Sequence, residues 1–166
     1  MICLDPVGKE TNSTSSASLQ LGLFSGFGVG EMHIFQENLD ADLMKEILQE
    51  HLKASAEVLL PPGLWYFQQD NDPKHTSNLI KTWLFNQGIC CLDFPPYSPD
   101  LNPIENIWSI LKRCVESRNP TTIEDLKLYL TEEWAGLEPE LLVLLSHSMV
   151  ERCDNVKQNN GHKIDY

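Results

Sequence analysis

The 166-residue chain reads as an α/β domain, a mixed sheet flanked by helices, and three observations predict this. Short apolar segments of strand length alternate with longer ones whose apolar residues recur every three or four positions. Gly and Pro gather at the joints between them, in GFGVG, PPG and PPYSPDLNP. With 42% hydrophobic and 22% charged residues the composition is globular, enough for one domain with a core of its own.

The order of elements follows from local pattern. Residues 1–16 are expected as an unstructured leader, since ETNSTSSAS (10–18) is a polar tract that cannot bury a core. LQLGLF (19–24) and EMHIF (31–35) form a strand pair around a Gly-rich connection. Asp40 or Asp42 caps a helix through about residue 55, with Leu43, Ile47, Leu48 and Leu52 as its buried stripe. LWYFQQ (64–69) is a strand that ends at Asp70. Thr76 or Ser77 caps the next helix, in which Leu79, Ile80, Trp83 and Leu84 share a side and Gly88 closes the end.

The apolar run ICCLDF (89–94) predicts a buried strand. After the Pro-rich loop 95–103, Ile104, Ile107, Trp108, Leu111 and Val115 recur at helical spacing, so Glu105 falls in a first helical turn. A last helical pair starts near Thr121 and Thr122, its second member carrying Leu141, Leu142, Leu144, Leu145 and Met149. Five cysteines (Cys3, Cys90, Cys91, Cys114, Cys153) without a C-x-x-C pair are expected as buried reduced thiols. The histidines at 33, 51, 75, 147 and 162 lack the short fixed spacings of a zinc site.

Charge excludes one class of function. Twelve Lys and Arg against 24 Asp and Glu give −12, which argues against clamping nucleic acid through a broad basic surface. Residues 61–120, the stretch with the sharpest motifs, are the least acidic third. No apolar run approaches the roughly 20 residues of a membrane span, and no basic start precedes an apolar core as in a secretory signal. These features predict an intracellular, non-secreted protein.

Two carboxylates stand where chemistry is expected. Asp70 sits at the junction of a strand and a loop, and Glu105 opens a helix after a rigid loop. The 34 residues between them (71–104) suffice for one helix and one strand, which returns the chain to the same sheet edge. Carboxylates converging there would suit Mg²⁺, and a third would allow a metal pair. Both residue types are also common at these positions as loop and helix-dipole residues.

The segments FQQDNDPKHTS (67–77) and SPDLNPIENIWSILKR (98–113) resemble the signature segments of Tc-one/mariner-type DDE transposases. The resemblance extends through LFSGFGVGEMHIF (23–35) and HSMVERC (147–153), over residues 17–166. It implies an RNase H-like fold in which three acidic residues bind two Mg²⁺ or Mn²⁺ and drive DNA cleavage and strand transfer at transposon ends. Asp70 corresponds to the second acid and Glu105 to the third, while Asn71 and His75 correspond to substrate-facing or supporting positions. Asp100 is read as a turn former. DNA is the implied partner, the nucleus the implied location, and a homodimer the usual working form of relatives.

The resemblance also leaves gaps. The family's first acid lies on the opening, central strand of the sheet, and that strand is expected to be missing here. Asp5 is the one acid of the right type, but Pro6 follows it and no family motif surrounds it. The helical DNA-reading domains that precede this region in relatives have no counterpart in the 166 residues. Ancestry and present activity therefore separate: the chain is expected to be transposase-derived and inactive as a fragment, the alternative being a decayed or domesticated remnant acting as an acidic interaction module.

Overall fold

The computed structural model describes residues 2–8, 19–35, 40–63, 65–69, 77–95 and 98–164. Leu19–Ser25 (β2) and Gly28–Phe35 (β3) form the expected antiparallel pair, turned at Gly26 and Phe27. Beside β2 lies a strand that the sequence reading lacked. Ile2–Gly8 (β1) runs antiparallel to β2 and parallel to Tyr66–Gln69 (β4), which in turn pairs in parallel with Cys90–Cys91 (β5). The sheet order is β3-β2-β1-β4-β5. This corrects the expected loss of the first strand, and it makes residues 2–8 of the expected leader the centre of the sheet. Residues 9–16 lie outside the described residues.

Helices cover both faces. On one, Ala41–Ile47 (α1), a π-helical turn at Leu48–Leu52 and Lys53–Leu59 (α2) form a continuous rod, joined by Asn78–Asn86 (α3). Asp40 caps the rod, its carboxylate accepting from the Leu43 N–H at 2.9 Å, and Ser77 caps α3. Met44, Leu48, Leu52 and Ala56 are buried at a strict spacing of four, which drifts off one face of a 3.6-residue helix. The wider π turn brings the row back toward Leu21, Leu23 and Phe67 of the sheet.

On the other face Ile104–Ser117 (α4), Ile123–Ala135 (α5) and Pro139–Gln158 (α6) pack around Phe24, Ile107, Trp108, Trp134 and Leu142. Trp108 and Trp134 stack with ring centroids 5.4 Å apart, and the Trp134 indole N–H donates to the Gly30 carbonyl at 2.8 Å. Gly22 on β2 lets these rings close on the sheet, since a Cβ there would lie 2.6 Å from Trp134 Cη2 and 3.0 Å from Trp108 Cη2. Gly22→Ala is expected to lower stability by about 1–3 kcal/mol through overpacking, measurable as a lower urea midpoint.

The start of α5 is closed by a capping box. Thr122 Oγ1 accepts from the Asp125 N–H, and the Asp125 carboxylate accepts from the Thr121 hydroxyl and the N–H groups of Thr121 and Thr122. These bonds, the Thr121 hydroxyl first, hold the Asp125 carboxyl below its ordinary range. A depressed folded value stabilises above the unfolded carboxylate range and loses that contribution as pH falls through the folded value. The difference in melting temperature between wild type and Asp125→Asn should therefore be largest near neutrality and shrink in acid. Equal differences at both pH values would contradict the box.

Four of the five cysteines depart from the expected burial, and the side chain of Cys3 lies outside the described ones. Cys90, Cys91 and Cys153 are exposed and Cys114 is half-buried. The apolar run 89–94 contributes only a two-residue edge strand, whose sole described strand neighbour is β4, so only Ile89 enters the core.

Candidate active site

Glu105 stands in the first turn of α4, half-buried, where a carboxylate meets the positive end of the helix. The approach to it is a 3₁₀ turn at Pro99–Leu101, and the Glu105 N–H bonds the Asn102 carbonyl at 3.1 Å. This loop is fixed from two sides. From β4, the fully buried Gln68 amide donates to the Leu101 carbonyl and to Asn102 Oδ1, both at 3.3 Å. From α6, the buried Arg152 guanidinium donates to the Asp100 carbonyl and to Asn106 Oδ1, both at 2.8 Å. Its Nε reaches the Ser148 hydroxyl at 2.9 Å.

Asp100 is more than a turn former. Its carboxylate is buried and accepts from the Ile164 N–H at 3.0 Å, which pins the C-terminal segment against the loop. Together Glu105, Asn106, Ser109, Asp100 and Lys163 border a cleft of about 520 Å³.

Of the residues singled out in the sequence, Glu105 is placed as expected. Asp70, Asn71 and His75 lie outside the described residues. Strand β4, which precedes them in the chain, ends at Gln69, whose Cα partner in β1 is Leu4. Asp5 follows Leu4 and takes the register position opposite Gly22 of β2, and α4 packs against β1. Strand β1 thus brings an acidic residue into the same corner of the sheet that Gln68 ties to the Glu105 loop.

Gln68, Asn102 and Arg152 were missed by sequence reasoning. The signal for Arg152 was present: Leu142, Leu145, Met149 and Arg152 continue one helical row, which places an arginine at a core position. Nothing comparable marks Gln68, which follows Phe67 in a short strand.

A family model described as DDE superfamily endonuclease matches residues 5–127. The chain is 31% identical over 145 residues, 87% of its length, to the Tcb1 transposase of Caenorhabditis briggsae and to the Tc1 transposase of Caenorhabditis elegans. It is 39% identical over 102 residues to the Tc3 transposase of Caenorhabditis elegans. It spans about half the length, 53%, of the Tcb1 and Tc1 proteins. In fold it resembles the catalytic domain of the Mos1 mariner transposase, with a TM-score of 0.88, 19% identity, and coverage of 99% of this chain and 83% of that one. A Mos1 paired-end complex with the left transposon end gives a TM-score of 0.87 at 17% identity, covering 99% of this chain and 56% of that one. The fold is RNase H-like, and the chain belongs to the DDE superfamily endonucleases, among the catalytic domains of Tc1/mariner-type transposases.

Proposed function

We propose that the chain is a DNA-cleaving and strand-transferring domain whose metal-holding carboxylates are Asp5, Asp70 and Glu105. The observation that supports this most is the parallel register of β1 on β4. Leu4 pairs with Gln69, so Asp5 is the next residue of β1 and Asp70 the next residue of the chain. Glu105 is joined to the same strand through Gln68, two residues before Asp70. The acid that the family carries on its opening strand then has a counterpart in Asp5, which the surrounding sequence did not reveal.

Three carboxylates are hard oxygen donors, with no thiolate or imidazole among them, and they fit Mg²⁺ or Mn²⁺. When bound, such ions supply Lewis-acid polarisation of a phosphoryl oxygen and an activated water or 3′-hydroxyl. The chain's own contribution is positioning. Glu105 stands at a helix start beside the cleft, and Arg152 and Gln68 hold the loop that leads to it. Asn71 and His75 are proposed to meet the substrate or to orient the carboxylates.

DNA is the proposed partner, in the nucleus, with a homodimer as the working form. Two relatives of the same fold are a Mos1 strand transfer complex and a Mos1 paired-end complex with Mn. A net charge of −12 directs the contact to the site and away from the general surface. Among the described residues no helix is long and apolar enough to cross a membrane.

The test is Mn²⁺ binding, followed by the loss of the free-ion electron paramagnetic resonance signal. The wild type should take up Mn²⁺, and Asp5→Asn, Asp70→Asn and Glu105→Gln should each weaken uptake about tenfold or more. A folded wild type that takes up none would overturn the catalytic reading in favour of the acidic interaction module.

A further inference from the structure

Away from Glu105, on the edge strand β3 and the α1–α2 rod, lies a second set of metal-ligating side chains. Among the described residues, Glu31, His33 and His51 offer one ligand atom each, all within 4.8 Å of one another. The Glu31 carboxylate is already 2.5 Å from His51 Nδ1, and the two imidazole rings lie 3.9 Å apart between centroids, tilted by 47°. His33 Nε2 is buried and has no hydrogen-bond partner. On its other side His51 Nε2 faces the Glu50 carboxylate at 3.4 Å.

Two irregularities of the backbone lie at this juxtaposition. In the β2–β3 ladder Gly22 pairs with Met32 and Phe24 with Val29, so Leu23 stands opposite two residues, Gly30 and Glu31. The bulge lies just before His33; Glu31 and His33, two residues apart on the strand, both reach His51 of the rod. His51 in turn belongs to the π-helical turn, which re-aims it relative to an unbroken helix. Bulges and π turns are over-represented at functional sites, and here one of each meets at three ligand-type side chains.

We propose that Glu31, His33 and His51 bind a divalent cation of the zinc class, distinct from the carboxylate set at Glu105. Two imidazoles and one carboxylate are the donor set of open zinc sites, which leave a fourth position for water. Imidazole also selects against Mg²⁺, which prefers oxygen alone. Tetrahedral bonds of about 2.1 Å require donors about 3.4 Å apart. The Glu31–His51 pair is within that span, so His33 has the main distance to close. Glu50 is the carboxylate partner that fixes the ring of a ligating histidine by accepting its other N–H. A cleft of about 590 Å³, lined by Glu31, Glu50, His51 and Val58, gives the ion a way in. Binding would clasp β3 to the α1–α2 rod.

The experiment uses the full chain with its thiols alkylated and Mg²⁺ in excess, and titrates Co²⁺ and then Zn²⁺. The wild type should take up one Co²⁺ with visible absorption and no thiolate charge transfer, and Zn²⁺ should displace it. Zn²⁺ should shift the ring resonances of His33 and His51 and leave those of His147 and His162 in place. Glu31→Gln alters an exposed side chain and should keep the circular dichroism of the wild type while weakening binding tenfold or more. Asp70→Asn and Glu105→Gln should bind as the wild type does, which separates this site from the proposed catalytic one. Absence of uptake by the wild type, unmoved His33 and His51 resonances, or equal binding by Glu31→Gln overturns the proposal.

Discussion

Glu105→Gln is expected to reduce Mn²⁺-dependent cleavage of duplex DNA by roughly a thousandfold while leaving the fold intact. The amide keeps the shape of the side chain and removes the charge that a divalent ion requires. Losing several kcal/mol of charge stabilisation, about 4, corresponds to that factor, because each 1.36 kcal/mol is tenfold in rate. The structural cost is small by comparison. Glu105 lies in the first turn of α4, where a negative charge contributes about 0.3–1 kcal/mol through the helix dipole. Single-turnover cleavage beside a urea titration separates the two effects. Cleavage that survives in a folded Glu105→Gln protein would remove Glu105 from the chemistry.

Arg152→Met should have the largest effect on stability. Arg152 is buried at 1% exposure, and its guanidinium satisfies the Asp100 carbonyl, Asn106 Oδ1 and the Ser148 hydroxyl. A methionine fills similar volume but leaves these acceptors without their donor, at about 1–3 kcal/mol for each group that water cannot reach. A loss of about 3 kcal/mol is expected in chemical denaturation. Cleavage should fall as well, because the loop that aims Glu105 loses its anchor on α6. Arg152→Lys should not restore either property, since one ammonium cannot span acceptors that the planar fork reaches together. A near-neutral Arg152→Met would mean that the loop is held from β4 alone.

The parts of the fold that follow a simple period were legible in the sequence. Leu21 and Leu23 face one helical layer and Phe24 the other, as strand residues in a covered sheet do. Ile104, Ile107, Trp108, Leu111 and Val115 mark the buried side of α4, so Glu105 could be assigned to its first turn from spacing. Strand β1 was illegible because ICLDPVG interrupts its apolar residues with Asp5 and Pro6. Among the described residues β4 pairs with Ile2 to Leu4, and Pro6 pairs with Leu21 of β2.

The run 89–94 misled in the opposite direction, since an apolar stretch does not state whether anything covers it. The cluster of Glu31, His33 and His51 was beyond sequence reading altogether. It depends on which turn of the α1–α2 rod meets β3, and the π turn that carries His51 has no period to recognise.

The claim on which the functional reading rests is that Asp5, on the chain's own first strand, completes a three-carboxylate set with Asp70 and Glu105. Mn²⁺-dependent nicking of supercoiled DNA by the wild type and by Asp5→Asn tests it most directly. The wild type should nick and Asp5→Asn should not, with both proteins folded by circular dichroism. Nicking that persists in Asp5→Asn, or a folded wild type that never nicks, would contradict it.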